Sequence, residues 1–391
     1  MKYKIGDICL VNKRSYSTKD DYKFVNYLDT GNITKNSISQ IQYIDLSSTK
    51  LPSRAKRIVQ QNDIIYSTVR PNQEHYGFVK DTPNNFLVST GFTVLTPDQE
   101  KVEPYWLYCY LTQKTVTNQM QTIAEQNVST YPSIRPENLA EIELDLPDLE
   151  TQKKIVRILS ALDQKIELNN QQNEKLMETA LSFYRDLLNK QDKDWGLGYV
   201  DDGKMTKITK SGISEYSGTK KYVATADVSG TNIIHFEKVK YNEKPSRANM
   251  TPKEDTVWFA KMEGSIKNIL VADYSTDLIN NYVFSTGFMG IECLNNFTYF
   301  MWCYINDDKF YDVKNSLSTG TLMAGISNST IKNAKYSIPP QNLLYEFNNK
   351  VKPVFKMIYT NNLQNGTLSM MRDTLLPKLM SGEINIGKVV A

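Results

Sequence analysis

Residues Asn169–Leu176 read NNQQNEKL, and residues Asn361–Leu368 read NNLQNGTL, 192 positions later in a chain of 391. Around the first copy, Ile155, Leu159, Leu162, Ile166, Asn169, Asn173, Leu176, Ala180, Phe183 and Leu187 recur at alternating steps of four and three. That spacing is the seam of a long helix packed on another helix. Phe347, Val351, Val354, Ile358, Asn361, Asn365, Leu368, Arg372, Leu375 and Leu379 repeat it. Both seams place two Asn midway, and a buried Asn lowers stability while fixing register. The reading is a helix pair, each member about 40 residues and about 60 Å long at 1.5 Å per residue. Antiparallel packing would set polar layer against polar layer and the globular parts at opposite ends. The second helix carries irregularities: Pro353 is expected to kink or start it, Gly366 weakens it, Arg372 interrupts the seam, and Pro377 and Gly382 mark its end.

Working outward, the repeat extends over the whole chain. Ser53-Arg54-Ala55 recurs as Ser246-Arg247-Ala248, and "VSTGFTVL" at Val88–Leu95 recurs as "FSTGFMGI" at Phe284–Ile291. "WLYCYL" at Trp106–Leu111 resembles "FMWCYI" at Phe300–Ile305, and Leu146-Pro147 resembles Ile338-Pro339. The offset is 192 at both ends and drifts to 196 in the middle. Loops tolerate insertions that packed elements do not, so this is the pattern of a duplicated unit. Each unit starts with a mixed α and β part. "KFVNYLD", "NDIIYSTV", the "TVL" after STGF and "EIELDLP" read as strands, and "PYWLYCYLT" as a helix with Pro104 at its first position. A polar linker, Gln191–Lys204, leads into the second copy.

Composition excludes several classes. No run of about 18 apolar residues would cross a membrane, and "MKYKIGDICL" lacks a signal peptide's apolar region. Cys9, Cys109, Cys293 and Cys303 have no C-x-x-C spacing and read as buried hydrophobes in a reducing, cytoplasmic setting. Two histidines, His75 and His235, leave little room for His-based catalysis or metal binding, and no metal site is expected. There is no phosphate-binding loop of the G-x-x-x-x-G-K-[ST] kind and no G-x-G-x-x-G after a strand. "LPDLETQKK" has acids at a helix start, where they complement the helix dipole. No catalytic residues are assigned, and a non-enzymatic role is favoured.

The net charge is only +3, but its distribution is uneven. Met1–Gln60 holds 11 Lys and Arg against 5 Asp, whereas Asp81–Pro147 holds 3 against 9 acids. Lys204–Lys267 is again basic. Two related parts on a helical rod, each basic early, suit two separated segments of a polyanion such as DNA. Lys and Arg would fix register on phosphates while Asn and Gln read adenine. The candidates in the first reader are Lys13, Arg14, Arg54, Lys56, Arg57, Arg70, Asn72 and Gln73. In the second they are Lys220, Lys221, Lys244, Arg247, Asn249, Lys261, Lys267 and Asn268. Only Arg54 and Arg247 occupy matched positions, so unlike half-sites are expected.

This organisation resembles the specificity subunit of a type I restriction–modification system. The resemblance is carried by "LPDLETQKKIVRILSALDQKIELNNQQNEKL" at Leu146–Leu176, by the ending Met371–Ile384, and more loosely by "NDIIYSTVRP" and STGF. "SIPPQNLLYEFNNKV" departs from the usual Glu-Gln pair after the prolines. The resemblance implies an α+β fold: two similar target recognition domains and two long helices packed as an antiparallel coiled coil, an internal duplication with a pseudo-twofold relation. The divisions are 1–147 and 191–339 for the recognition domains, 148–190 and 340–384 for the spacer helices, and 385–391 for a tail. It implies a non-catalytic, DNA-binding subunit that reads a bipartite, asymmetric site with an unread gap, whose length the duplicated heptad seam suggests is set by the helix pair. Two methyltransferase subunits and ATP-dependent restriction subunits would assemble on it. S-adenosylmethionine, magnesium and ATP would belong to those partners, with no cofactor on this chain. STGF would be structural, its Gly91 and Gly287 allowing a tight turn. A two-headed scaffold that binds proteins and no DNA is the alternative, and a nuclease with an unrecognised acidic site is another.

Overall fold

The computed structural model describes residues 2–126, 132–320 and 324–384. The expected tail, 385–391, lies outside the described residues. The chain divides into two compact units, one made of Met1–Gln164 and Leu368–Ala391 and the other of Lys165–Thr367.

In the first unit the expected strands form two four-stranded sheets. One has the order Gln42–Asp45, Phe24–Leu28, Phe86–Ser89, Ala55–Ile58. Its central pair, Phe24–Leu28 and Phe86–Ser89, is parallel, and the outer pairings are antiparallel. The other has the order Cys9–Val11, Phe92–Pro97, Ile64–Ser67, Tyr76–Phe78, all antiparallel. Ile64–Ser67 lies inside its sheet and is buried throughout, which is why its sequence is apolar without alternation. The helix Pro104–Leu111 begins with Pro104 at its first turn and buries Trp106, Leu107 and Leu111 against the second sheet's core. Lys2–Lys4 pairs with Glu143–Asp145 immediately before the first long helix.

The second unit repeats this topology strand for strand. Glu237–Val239, Lys220–Val223, Tyr282–Ser285 and Ala248–Met250 form one sheet, again with a parallel central pair. Thr206–Ile208, Phe288–Cys293, Thr256–Ala260 and Asn268–Val271 form the other. Even the register shift recurs, between Val88 and Ser89 in one copy and between Ala248 and Met250 in the other. Gly196–Tyr199 pairs with Lys335–Ile338 before the second long helix. The duplication inferred from scattered matches is therefore complete at the level of the fold.

The long helices span Leu149–Leu188 and Gln341–Met380 and pack together. Asp148 caps the first, its Oδ1 accepting the Thr151 N–H at 2.9 Å, and this hydrogen bond lowers the carboxyl pKa. Gln152 is fully buried and docks the helix start, accepting the Glu103 N–H and donating to the Pro147 carbonyl, both at 2.8 Å. In the first unit Ile155 and Leu159 share a core with Leu379, flanked by Leu375 and Leu376. In the second, Ala180, Tyr184 and Leu187 share one with Leu344, Phe347, Val351, Phe355 and Ile358.

Between these apolar stretches the Asn layers meet. Asn169 Nδ2 donates to Asn365 Oδ1 and Asn361 Nδ2 donates to Asn173 Oδ1, both at 2.8 Å. The falling partner number along a rising helix makes the pair antiparallel. Leu162, Ile166, Leu176, Val354 and Leu368 line the same seam half-buried.

Three expectations about the helices are corrected. Pro353 does not start the second helix, which begins at Gln341 and runs through it, because the proline lies on an exposed face where water can satisfy the carbonyl its missing N–H leaves free. Tyr184 is more deeply buried than Phe183. Arg372 does not interrupt the seam but pairs within it. No helix among the described residues is long and apolar enough to cross a membrane.

Candidate nucleic-acid interface

The repeated STGF phrase is where the chain passes from one sheet to the other: Phe86–Ser89 is an interior strand of one sheet, Thr90–Gly91 turns, and Phe92–Pro97 is an interior strand of the other. Ser89 is buried and its Oγ accepts the Gly91 N–H at 3.3 Å; Ser285 Oγ accepts the Gly287 N–H at 3.1 Å. Neither glycine has a positive φ. The glycine is required for room instead. A Cβ at position 91 would sit 2.8 Å from Thr30 Cγ2, and one at position 287 would sit 3.0 Å from Thr225 Cγ2.

The turn holds two neighbouring loops by backbone hydrogen bonds. Thr90 N–H donates to the Arg54 carbonyl and Thr68 N–H donates to the Gly91 carbonyl, both at 2.8 Å. In the second reader Thr286 donates to Arg247, and Lys261 to Gly287, both at 2.9 Å. A further segment braces the same loop. Ile134 N–H donates to the Thr68 carbonyl at 2.8 Å and Arg70 N–H to the Pro132 carbonyl at 2.9 Å. The copies are Ile326 to Lys261 and Glu263 to Ala324, both at 2.9 Å. Four backbone hydrogen bonds thus recur one for one, and they converge the Arg54 or Arg247 loop, the STGF turn and the loop after the central strand on one end of each reader.

What the framework carries differs. The first reader's loop exposes Asn72 and Gln73 beside a half-buried Arg70, and the second exposes Met262, Glu263 and Ile266. Arg54 and Arg247 are exposed beside the turn. Lys13, Arg14 and Lys56 are exposed along the adjoining edge, Arg14 bonded to Gln60 and Lys56 accepting the Tyr16 N–H through its carbonyl. Arg57 is half-buried with its Nε shielded, and burial lowers its pKa. Arg70 takes a left-handed backbone, φ 48°, ahead of Pro71.

Several second-reader candidates have internal roles. Lys221 pairs with Asp277 at 3.0 Å and lies over the Phe236 and Tyr282 rings. Lys267 Nζ donates to the Thr225 carbonyl at 2.8 Å, holding the loop beneath Gly287, and Lys261 is half-buried; burial lowers both pKa values. Asn268 is a correction. It is fully buried, with its amide nitrogen 2.9 Å from Asn306 Oδ1 and 2.9 Å from the Tyr311 hydroxyl, so it faces no ligand. Lys220 and Lys244 lie over Tyr216 and Tyr241, Arg247 stays open, and Asn249 is half-buried with its carbonyl accepting the Gly212 N–H.

Sequence reading missed Thr30, Thr225, Thr68, Gln121 and Asn315. Thr30 and Thr225 stand 195 apart, within the drift of the repeat, so a residue-by-residue alignment of the halves would have found them.

His75 meets the Ile33 carbonyl at 2.5 Å and His235 meets Asp227 at 2.9 Å, and both serve local structure. All four cysteines are buried, and burial pushes the Cys9 thiol up to about 12. Among the described residues no cluster of His, Cys, Asp and Glu could hold a metal ion.

Residues 1–178 match the family described as the type I restriction modification DNA specificity domain. The chain is similar to the type I restriction enzyme HindI specificity subunit of Haemophilus influenzae, 24% identical over 98% of this chain and 99% of that one. It is also similar to the MjaIX specificity subunit of Methanocaldococcus jannaschii, 26% identical over 90% of this chain and 86% of that one. Among solved structures, the type I restriction–modification S subunit from M. genitalium shares the fold, with a TM-score of 0.50 and 16% identity over 97% of this chain and 95% of that one. The chain is thus similar over nearly its whole length to type I restriction–modification specificity subunits, and its first 178 residues carry the match to the DNA specificity domain.

Proposed function

We propose that each reader reads one half of a bipartite, asymmetric DNA site, and that this chain gives a type I restriction–modification complex its sequence specificity. One observation carries the reading: an identical backbone framework presents unlike exposed side chains at the same end of two copies. A phosphate backbone is the same at every step, so its contacts can be duplicated. Arg54 and Arg247, matched and exposed, suit that role. Base edges differ, so the residues that read them should differ. Arg70, Asn72 and Gln73 suit G and A in the first half-site.

The chain is not itself an enzyme on this reading. Two methyltransferase subunits and the restriction subunits assemble on it, and S-adenosylmethionine, magnesium and ATP belong to those partners. The test is to co-express the chain with its methyltransferase subunit and map methylated adenines across the host genome. A motif of two unlike blocks separated by an unread gap is expected. A single block, or methylation without a motif, would sink the reading.

A further inference from the structure

The tip of the reading loop is held in both copies by an amide from the same position of the same short helix. Gln121, on Lys114–Gln126, accepts the Asn72 backbone N–H at 3.1 Å through Oε1. Asn315, on Asp308–Ser316, accepts the Gly264 backbone N–H at 3.1 Å through Oδ1. The two amides stand 194 residues apart, the same offset as Lys114 and Asp308, which start the two helices. The residues they grip differ, and so do the residues each loop presents. An interaction kept while its surroundings diverge is what a positioning device requires.

The second reader adds to it. Lys314 precedes Asn315 and is fully buried, with Nζ donating to the Ala260 carbonyl at 3.3 Å and the Ser265 carbonyl at 2.5 Å. Those carbonyls flank the loop, so the ammonium ties its root to its far side. The first reader has buried Met120 at this position. Its loop is stiffened differently, by left-handed Arg70 and Glu74 on either side of the turn Pro71–Gln73. Gly264, at φ +66°, is the corresponding special position in the second.

We infer that Gln121 in the first reader, and Asn315 with Lys314 in the second, are positioning residues that set the sequence preference of their own half-site without touching DNA. The inference rests on the DNA-reading proposal above. A base contact discriminates only if its donors sit within a fraction of an ångström of the base edge, and a loop freed at its tip spreads over many placements. Each clamp therefore acts on one half-site only.

The probe is a pool of duplex DNA with randomised positions, presented to the complex of the full chain with its methyltransferase subunits. Retained duplexes are sequenced. The parent is expected to enrich two blocks. Gln121→Ala should lower enrichment of one block about tenfold and leave the other intact. Asn315→Ala and Lys314→Met should do the reverse. Gln121→Glu and Asn315→Asp keep an acceptor for the same N–H and should keep the block. A parent that enriches neither block overturns the DNA reading and the clamp with it. A parent with two blocks overturns the clamp alone in either of two cases: the alanine variants leave both blocks unchanged, or the alanine and carboxylate variants blur them alike. Loss of both blocks in any single variant also overturns it, since that reports general unfolding.

Discussion

Arg372 Nη1 donates to Asp163 Oδ1 at 2.8 Å, at positions where the other copy of the helix has Ala180 and Phe355. The exchange extends outward. Tyr105 donates its hydroxyl to Asp163, whereas its counterpart Tyr299 stacks on Phe355 at 5.8 Å. The helix pair thus holds a partly buried ion pair in the first unit and aromatic packing at the matched positions of the second. Removing one member of such a pair strands the other charge, whereas replacing both with apolar groups of suitable shape is often neutral or better. Arg372→Ala should destabilise the first unit by about 2 kcal/mol, less than a fully buried pair because its side chain keeps a third of its exposure. Arg372→Ala with Asp163→Phe, which imports the other copy's solution, should recover most of that loss. Urea unfolding followed by tryptophan fluorescence measures both, and a double variant no better than the single would refute the equivalence.

Gly91 and Thr30 make a second coupled pair. Because Gly91 has no positive φ, alanine is conformationally acceptable there and only the 2.8 Å approach of Thr30 Cγ2 opposes it. Threonine is stiff at χ1 and cannot swing aside. Gly91→Ala should cost about 1–3 kcal/mol through overpacking, and Thr30→Ser, which removes the offending methyl, should restore most of it. If Thr30→Ser gives no rescue, a backbone explanation for the glycine returns.

The contrast between these two sites shows what a single sequence exposes. The helix pair was legible because a repeat of alternating four and three residues runs through ten positions in each copy, and periodicity accumulates. Phe183 packs half-buried against the second unit's core while its neighbour Tyr184 is buried more deeply, because a strict seven-residue repeat drifts on a helix of 3.6 residues per turn. The strands around STGF were legible from apolar runs, and their topology was not, because pairing joins residues distant in sequence. Asn268 looked available because its side chain can read adenine, and its burial depends on Asn306 and Tyr311, 38 and 43 residues on. Gln121 and Asn315 have no periodic neighbours at all, so only their matched contacts give them away.

The Asn layers yield a third prediction. Asn173 is nearly buried, gives its amide nitrogen to Asn362 Oδ1 at 2.8 Å and takes one from Asn361. Asn173→Leu removes one hydrogen bond from each of those half-buried partners, Asn361 keeping its bond to Gln172, and should cost about 1 kcal/mol. Asn173→Leu together with Asn361→Leu should cost less than the sum of the two single changes, since the pair is removed together. A double-mutant cycle in urea measures the coupling, and strict additivity would mean the layer is solvated and contributes no register.

Lys314 gives the pH-dependent case. It is fully buried, no carboxylate pairs with it among the described residues, and burial lowers its pKa from 10.5 to about 8. The unfolded chain, with the ordinary lysine value, holds its proton up to about pH 10.5. Between about pH 8 and 10.5 the unfolded state therefore binds more protons than the folded one, and the contribution of this group to stability rises with pH. It is complete above 10.5 and lost as pH falls through 8. The span corresponds to a cost of about 3 kcal/mol for keeping the ammonium buried at neutral pH. Part of that cost is offset by the bonds to Ala260 and Ser265. Lys314→Met, the side chain found at the matching position of the first reader, removes the titration. At pH 7 the second reader of the variant should be as stable as the parent or more so, and the parent should gain on it between pH 8 and 10.5. Chemical denaturation across pH 7–10.5, read from Trp258 and Trp302, tests this. A stability difference that does not change over that interval would place the ammonium in contact with water.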